Sequence, residues 1–516
     1  MTQEFGSEAH RRLLQRQIDE IRDIDDSRVI EVVVKICSPR NDTMLLSTVA
    51  EALRRRGMSS SSRDLLPIER AQLARRGSTK SHQRALKEHD TSLAAQAATA
   101  GRAGAAARAS SQSNIDGWMA RDSVKESIAA VTSLPSRQKP KPVAPRTFWT
   151  SSSAVMQVVR DDLEKLTHTP EIEGIYLNQR LHVPPVVMPK AVPTAVEENK
   201  VSAWGLRTMG ALATWGAFGA RGKGVLIGLL DTGVDAQHPD LAGKIEDWAE
   251  FDANGNFVPG SKPHDSDKHG THCAGTIVGG DASGRWIGVA PEAKIAAGLV
   301  LNGSQGGTHA QILAGMDWAI SRGVDVISMS LGGLLMTPEV PSTYTEAMLT
   351  ALRAGIPVVT AIGNEGSQTT GAPGNDFLAF SVGATDHLNR AAGFSGGRTQ
   401  IIRTSAYFPQ EALPLVYSKP EISAPGVAIY SSVPGGGWEY LNGTSMATPH
   451  VAGAIALLLS STKIKKSVPA DKRAFVIQDL LTGSAEELGE SGQNHRFGFG
   501  RIDILRSMGY ARDLNY

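Results

Sequence analysis

The chain has 516 residues, a length typical of two domains, and its 41% hydrophobic and 20% charged residues are ordinary for a globular protein. Its formal net charge of +1 excludes a general electrostatic attraction to nucleic acid or to an anionic membrane. The two cysteines, Cys37 and Cys273, lie in different candidate domains, so no disulfide is expected and a reducing compartment is permitted.

Residues 1–28 are predicted to form a charged lead-in. They lack the apolar core of a secretory signal, and no later run is long and apolar enough to cross a bilayer. We therefore expect a cytoplasmic protein with no membrane partner. Secretion is the alternative if a signal was trimmed from this N-terminus.

Residues 29–183 are predicted to form a small ferredoxin-like α+β domain built from two β-α-β halves. In the first half, alternating apolar residues predict a strand over residues 29–37, and a helix follows from Asn41. In the second half, a strand is followed by a predicted helix over residues 155–166 and by another strand within 172–183.

Two segments interrupt or follow this domain. Residues 69–145 are rich in Ala, Arg, Ser, Gln and Lys, and their segment AAQAATAGRAGAAARASSQSN is of low complexity and has no apolar face, which predicts a flexible or weakly helical insertion. Residues 184–200 are rich in proline and valine and are predicted to form an extended linker.

From residue 201 to residue 516, apolar strand candidates alternate with helical patterns. Helices are predicted over residues 309–322 and 343–354. This alternation predicts an α/β domain with a doubly wound, mostly parallel sheet covered on both faces. The strand candidates cover residues 225–230, 293–301, 324–330, 356–362 and 377–384.

The first candidate site residue is Asp231, which directly follows the strand candidate 225–230 in the motif Asp-Thr-Gly. Sheets of this kind carry their active sites at the carboxyl ends of the strands. The motif also marks aspartic proteases, but those need two such aspartates and the sequence has one copy. A structural, helix-capping role for Asp231 is the alternative.

His269 opens the second motif, HGTHCAG, whose small residues suit the start of a helix packed closely against the sheet. The alternative is a zinc site formed with His264 and His272. No H-E-x-x-H pattern is present and the spacing is poor for zinc, although a structural or metal role stays open at this point.

Ser445 lies in the third motif, GTSMATPH, where a turn leads into the apolar helix VAGAIALLLS. Its backbone N–H would then point toward a place where negative charge is stabilised, and a plain serine N-cap is the alternative. Ala447 replaces the last glycine of G-x-S-x-G, and the chain order Asp, His, Ser differs from the Ser, Asp, His order of α/β-hydrolases.

Taken together, the three motifs resemble the subtilisin (subtilase) family, peptidase family S8. The resemblance covers about residues 200–505 and includes the segments HPDL, GVAPEAKI, SMSLGG, AIGNEG, KPEISAPG and FGFGRIDI. It implies a serine endopeptidase with a subtilisin-like fold. By the same resemblance, Ser445 attacks the scissile carbonyl, His269 takes and returns the proton, and Asp231 orients and stabilises the imidazole.

The resemblance also implies roles for residues outside the triad. Asn364 matches the asparagine of the oxyanion hole, with a loop-shaping asparagine as the alternative. Ser330, Leu331 and Gly332 match the segment that pairs with an extended polypeptide substrate, and Gly371 is expected to help form the floor of the side-chain pocket. A broad preference for apolar or large side chains is the family default.

No cofactor is expected to be required. Asp240 in HPDL matches an aspartate that ligates calcium in many family members, and Asp281 could contribute. Ala282 offers no side-chain ligand and Arg285 adds a positive charge, so a turn-forming role for Asp240 is the alternative. Cys273 is expected to be a small buried residue, although a mercurial could reach its thiol beside His269.

The resemblance implies that residues 29–183 are a pro-domain that inhibits the active site from within the same chain until the linker 184–200 is cut. A separate partner-binding domain is the alternative. The expected protein is a monomeric serine endopeptidase made as a self-inhibited precursor. The alternatives are a subtilase-fold regulatory or binding protein with a permanently blocked site, and a cytoplasmic protease that a partner switches on.

Overall fold

The computed structural model describes most of the chain beyond residue 107 and one segment before it. The described residues are 8–36, 108–135, 143–169, 171–184, 192–197, 200–334, 340–403, 405, 407–408 and 413–516. The helix predicted from Asn41, the first part of the predicted insertion and Cys37 lie outside these residues.

The N-terminal part of the chain forms a four-stranded antiparallel sheet in the order β2-β3-β1-β4, which agrees with a ferredoxin-like α+β arrangement. Its strands are β1 (Val29–Ile36), β2 (Arg146–Phe148), β3 (Ser153–Val159) and β4 (Ile172–Leu177). The helices of this part are α1 (Glu8–Ile24), α2 (residues 108–119), α3 (Asp122–Thr132) and α4 (Leu163–Thr167). The strand predicted over residues 29–37 is confirmed for the described residues.

Three of our expectations for this part are wrong. The helix predicted over residues 155–166 is the strand β3 up to Val159, and only the residues after it turn into helix. The charged lead-in contains α1, which buries Leu14, Ile18 and Ile21 against the sheet. The end of the predicted insertion is also ordered, because α2 buries an apolar face that includes Trp118.

The C-terminal part is built on a seven-stranded parallel sheet in the order β17-β14-β12-β10-β6-β8-β7. Its strands are β6 (Leu226–Asp231), β7 (Ile245–Glu250), β8 (Lys294–Leu299), β10 (Val326–Met329), β12 (Val358–Ala361), β14 (Phe380–Thr385) and β17 (Ile422–Pro425). Short strand pairs flank this sheet: β5 (Arg180–Leu181) with β9 (Gly307–Thr308), β11 (Gly333–Leu334) with β13 (Gly371–Ala372), β15 (Arg398–Ile402) with β16 (Leu415–Lys419), and β18 (Ile429–Val433) with β19 (Gly437–Leu441).

Helices cover both faces of the parallel sheet. They are α5 (Thr194–Glu197), α6 (Trp204–Thr208), α7 (Ala211–Phe218), α8 (His269–Val278), α9 (His309–Ser321), α10 (Thr345–Arg353), α11 (Thr444–Ser461), α12 (Ile464–Ser467), α13 (Ala470–Gly483) and α14 (Ile504–Asp513). The doubly wound α/β prediction is confirmed, as are the strand predictions for β6, β8, β10, β12 and β14 and the helix predictions for α9 and α10. Across the described residues, no helix combines the length and apolarity that a membrane crossing needs.

Successive strand residues point to opposite faces of the sheet and feed two separate cores. In β6, Ile227 and Leu229 pack with α8 and α11 in one core, whereas Leu230 packs with α9 in the other. The first sixteen residues of α11, from Thr444 to Leu459, are all buried. This helix therefore forms the centre of the first core and carries Ser445 at its start.

A buried lysine joins the N-terminal sheet to the parallel-sheet part. Lys35 in β1 donates from Nζ to Glu173 Oε1 at 3.2 Å, to the Tyr407 hydroxyl at 2.8 Å and to the Ser342 carbonyl at 2.8 Å. Lys35 is 1% exposed, so its charge is compensated by these partners rather than by water. The N-terminal sheet is thus packed tightly against the parallel-sheet unit.

Candidate active site

Asp231 is the last residue of β6, near the middle of the parallel sheet, so the topology places it at the carboxyl edge where the sequence predicted a site. Its Oδ1 accepts a hydrogen bond from Nδ1 of His269 at 2.7 Å and another from the backbone N–H of Thr232 at 2.7 Å. Both bonds fix the carboxylate, and burial keeps water away from it.

His269 is the first residue of α8, and the loop after β6 holds this helix start close to the sheet. The Gly270 N–H donates to Thr232 Oγ1 at 2.9 Å. A side chain at Gly270 would place its Cβ 2.0 Å from the carbonyl oxygen of Gly233, which backbone cannot tolerate. Gly270 therefore allows the start of α8 to approach the loop after β6 closely enough for the His269 imidazole to reach Asp231.

The imidazole of His269 is buried, and one of its two nitrogens lacks a hydrogen-bond partner among the described residues. Burial is the largest single influence and would lower the pKa of His269, but the charge of Asp231, its hydrogen bond to the imidazole and the neighbouring Cys273 together outweigh burial and raise the pKa well above the ordinary value of 6.5. Within the described part of the chain, Nε2 of His269 has no hydrogen-bond partner. That nitrogen is the one available for a proton from another group.

Ser445 is the second residue of α11 and lies beside Ser330 and Cys273. Its Oγ donates to the carbonyl oxygen of Ser330 at 3.3 Å, and its own carbonyl oxygen accepts from Ser330 Oγ at 2.9 Å. The Cys273 thiol, one helical turn after His269, donates to the Ser445 carbonyl at 3.4 Å and lies 3.9 Å from His269 Nδ1. Cys273 thus bridges the start of α11 and the His269–Asp231 pair.

Asn364, in the loop between β12 and β13, is oriented by the residue just before Ser445. Its Oδ1 accepts from the N–H of Thr444 at 2.9 Å and from Thr444 Oγ1 at 2.9 Å. A Cβ built on Gly443 would lie 3.2 Å from Asn364 Nδ2, so the amide nitrogen faces the turn that leads into Ser445. No sequence pattern predicted this role of Thr444.

The predicted substrate-binding residues line a strip of backbone beside Ser445. Ser330 and Leu331 are buried, and Gly332 forms an antiparallel bridge with His182 of the N-terminal part. Gly371 lies next to this strip, because β13 pairs with β11 directly after Gly332. On the other side of residues 180–182, β5 pairs with β9, so this short segment lies between two strand edges.

The histidines proposed as alternative zinc ligands are not gathered around His269. Nε2 of His272 contacts the carbonyls of Ile429 at 3.0 Å and Glu439 at 3.2 Å, and burial lowers the pKa of His272 to about 3. His264 lies at the surface. Among the described residues, the one group of three potential ligands that lie together is Asp231, His269 and Cys273.

That group is explained by hydrogen bonding rather than by a metal. Asp231 and His269 are bonded to each other at 2.7 Å, and burial raises the pKa of the Cys273 thiol, which keeps it protonated and a poor ligand. Cys273 is fully buried, as expected for a small apolar residue.

The contacts of Asp240 do not fit calcium. Its Oδ1 accepts from the N–H of Ala282 at 2.9 Å, and its Oδ2 accepts from the indole N–H of Trp438 at 2.7 Å. Hard cations need several oxygens, whereas these N–H groups present positive dipoles to the carboxylate. The contacts support the turn-forming role of Asp240.

Comparison with known proteins gives a family match and several similar enzymes. The model of the subtilase family matches residues 222–500. Subtilisin DY of Bacillus licheniformis is 36% identical over 292 residues, which are 56% of this chain and 92% of that protein. Subtilisin Savinase of Lederbergia lenta is 38% identical over 289 residues, 56% of this chain and 93% of its own length. An intracellular serine protease of Paenibacillus polymyxa is 38% identical over 259 residues, 49% of this chain and 72% of that protein.

Proposed function

Since the chain belongs to the subtilase family and is a serine-type endopeptidase, we propose that it cuts polypeptides by acyl-enzyme chemistry with Asp231, His269 and Ser445. The observation that carries this proposal is the 2.7 Å bond between Asp231 and a buried His269 whose Nε2 has no hydrogen-bond partner among the described residues, at the sheet edge where Ser445 lies in the first turn of α11.

The proposed steps follow from the roles of these three side chains. Ser445 Oγ attacks the scissile carbonyl while His269 Nε2 takes its proton, and His269 later gives that proton to the leaving amine. Asp231 keeps the other imidazole nitrogen protonated and stabilises the imidazolium that forms. Burial excludes water, which strengthens the interaction between the two charges.

The pH dependence of the reaction follows from the charge on Asp231. His269 acts as a base only when it is neutral, so kcat/KM should decrease as the pH is lowered. The midpoint of this decrease should lie above pH 6.5, because the pKa of His269 is raised above its ordinary value. Rates for a peptide substrate without ionisable side chains, measured from pH 5 to pH 9, give this midpoint. A profile that stays flat down to pH 5 contradicts the role of His269.

Asn364 is proposed to stabilise the developing oxyanion together with the backbone N–H of Ser445. Asn364→Asp keeps an acceptor for Thr444 but removes the amide donor, so kcat should fall by about 10²–10³ with a smaller change in KM, a magnitude established for subtilisin itself. Steady-state kinetics measure the separate changes in kcat and KM. The variant Thr444→Val removes the hydroxyl that helps orient Asn364 but keeps the Asn364 amide, so it measures the effect of a misoriented amide. Unchanged kcat in Asn364→Asp would remove Asn364 from the proposal.

Polypeptide substrates are proposed to bind as an extended strand along Ser330, Leu331 and Gly332, with Gly371 beside them. Support comes from the chain itself, since residues 180–182 already lie against Gly332 and β9 in this manner. Strand addition of this kind fixes register through backbone hydrogen bonds and leaves side-chain preference to the pocket.

We further propose that the N-terminal part inhibits the enzyme as a precursor and that the processing cut falls within residues 184–200. Its segment 180–182 occupies the strip where a substrate strand would bind, and Ser445 and His269 are buried in this arrangement. A cytoplasmic location and a monomeric state remain our proposals. They are tested by cell fractionation and by light scattering of the purified chain.

Labelling with a fluorophosphonate tests the enzyme and its inhibition together. We expect Ser445 to label slowly in the intact chain and faster after the N-terminal part is displaced, with no labelling in Ser445→Ala. A chain that never labels, before or after displacement, would favour the alternative of a regulatory or binding protein with a permanently blocked site.

The contact between Asp317 and the turn after β2 should make docking of the N-terminal part pH-dependent. Asp317 accepts from the N–H groups of Trp149 and Thr150 at 3.2 Å each and from the Thr150 hydroxyl. Burial raises the pKa of Asp317 to about 7, so the docked form holds a proton that the undocked form, with an ordinary value near 3.8, releases. Docking is therefore favoured below pH 7 and weakened as the pH rises through 7.

Hydrogen exchange of the backbone around Thr150 measures this effect in the inactive Ser445→Ala chain. After correction for the intrinsic pH dependence of exchange, protection should fall between pH 6 and pH 8.5. Asp317→Asn, which cannot ionise, should show a flatter profile. Equal profiles for the two chains would contradict a role for Asp317 in docking.

A further inference from the structure

The hairpin formed by β15 and β16 packs one face against the segment that contains Gly371. Its register sets Gln400 directly opposite Tyr417, so these two side chains lie next to each other on the same face of the hairpin. Gln400 and Tyr417 are buried, whereas Thr399 and Val416 on the other face are exposed. The buried face therefore presents two polar side chains that need hydrogen-bond partners within the protein.

The partners of these two side chains lie on either side of Gly371. Gln400 donates from Nε2 to the hydroxyl of Thr370, directly before Gly371, at 2.5 Å. Tyr417 donates its hydroxyl to the carbonyl oxygen of Asn375 at 2.7 Å. The N–H of Asn375 in turn donates to the carbonyl oxygen of Gly371 at 2.9 Å. The hairpin thus holds both ends of the turn that begins at Gly371.

Both contacts are shielded from water. Gln400 is 4% exposed, and Tyr417 and Asn375 are each 2% exposed. Burial, together with the nearby carboxylates of Asp376 and Glu421, raises the pKa of Tyr417 well above 10, so its hydroxyl stays protonated and able to donate. Loss of either donor would leave a buried oxygen without its bond, a cost that the turn can relieve by shifting.

A shift of this turn would reach the strip that is proposed to bind substrate. Gly371 lies opposite Leu334 in the pairing of β13 with β11, two residues after Gly332. The Gly371 N–H also donates to the carbonyl of Ile362 at 2.8 Å, two residues before Asn364. The position of the turn therefore determines the shape of the proposed side-chain pocket beside the strip.

We propose that Gln400 and Tyr417 are positioning residues that fix Gly371 and thereby set which substrate side chain the enzyme accepts directly before the cut. This inference rests on the proposed function, since it concerns the specificity of the same site. The two side chains act through Thr370 and Asn375 rather than by contact with the reacting atoms. With both hydrogen bonds intact the turn keeps one shape, so the pocket discriminates between side chains of different size.

The variants Tyr417→Phe and Gln400→Met test the proposal in the full-length chain. Each removes one donor and keeps a side chain of similar volume. We measure kcat/KM for two peptides that differ only in having Phe or Ala before the cut; the ratio of the two values does not depend on the fraction of enzyme that is active. Each variant should move this ratio toward one by about threefold to tenfold, the effect of one net hydrogen bond. Thr399→Val, on the exposed face of β15, is the matched control and should keep the wild-type ratio.

The labelling of Ser445 by a fluorophosphonate separates specificity from damage to the fold. The probe places no substrate side chain in the pocket, so Tyr417→Phe and Gln400→Met should label at the wild-type rate. The proposal is overturned if both variants keep the wild-type ratio, including the case in which both peptides slow by the same factor, as a merely structural role predicts. It is also overturned if the wild type does not distinguish the two peptides. Failure of the proposed function gives a different pattern, because the wild type would then cleave neither peptide and would not label at Ser445.

Discussion

Replacing Ser445 with alanine should reduce peptidase activity by about 10⁶-fold, the magnitude established for the nucleophile of subtilisin itself. The variant removes the atom proposed to attack the scissile carbonyl. It costs the structure one hydrogen bond of 3.3 Å to Ser330 and leaves the buried face of α11 unchanged. Activity on a chromogenic peptide gives the loss, and thermal unfolding should show a fold as stable as that of the wild type.

The control for this prediction lies on the same helix. Ser461→Ala makes the same chemical change at the far end of α11 and should retain full activity. If precursor processing depends on the chain's own activity, the wild type should yield a shorter form by mass spectrometry, whereas Ser445→Ala should remain full-length. Residual activity of Ser445→Ala above one hundredth of the wild type would end the assignment of Ser445 as nucleophile.

Asp231→Asn should reduce kcat by about 10⁴-fold, the size of effect typical for the aspartate of a Ser-His-Asp triad. The amide can occupy the same space, but it carries no charge to stabilise the protonated imidazole. With that charge removed, burial dominates and the pKa of His269 should fall. The acid midpoint of kcat/KM should therefore move downward in the variant.

The shift of the midpoint separates electrostatics from a structural effect. A variant that only loosened the fold would lower activity without moving the midpoint. Asp386→Asn removes a carboxylate from a surface turn, where Asp386 bonds Arg390, and is the matched control. We expect its kinetics and its pH profile to match those of the wild type. An unmoved midpoint in Asp231→Asn would contradict the proposed coupling.

Five of the seven strands of the parallel sheet could be predicted because each is a short apolar run, whereas the edge strand β7 has the sequence IEDWAE and gives no such signal. Every such run recognised in the sequence is a strand of the sheet. The motif at Asp231 could be located for the same reason, since it follows β6 directly. Where a motif adjoins a predicted strand end, chain order alone nearly fixes its place in the fold.

The N-terminal part was harder to predict because its patterns were ambiguous. Val155, Val158 and Val159 are spaced as on a helix, yet β3 pairs with strands on both sides and this pairing decides its conformation. In α1, Leu14 and Ile18 are four residues apart, a helical signal that the surrounding charges obscured.

The contacts that complete the candidate site were not readable from the sequence. Thr444 orients Asn364, and Cys273 bridges the Ser445 backbone and His269. These contacts join the start of α11 to the loop after β12 and to α8, segments that lie far apart in sequence and that meet only through tertiary packing. Sequence motifs identify the reacting side chains, whereas the residues that orient those side chains are brought to the site by tertiary packing.

The buried Lys35 determines how the contact between the two parts of the chain responds to salt. Dissolved salt weakens attractions between exposed charges, but it cannot enter the dry space that Lys35 shares with Glu173 and Tyr407. The contact between the N-terminal sheet and the parallel-sheet part should therefore be as stable at high salt concentration as at low salt concentration. If the N-terminal part inhibits the enzyme as proposed, a change in salt concentration alone should leave that inhibition in place.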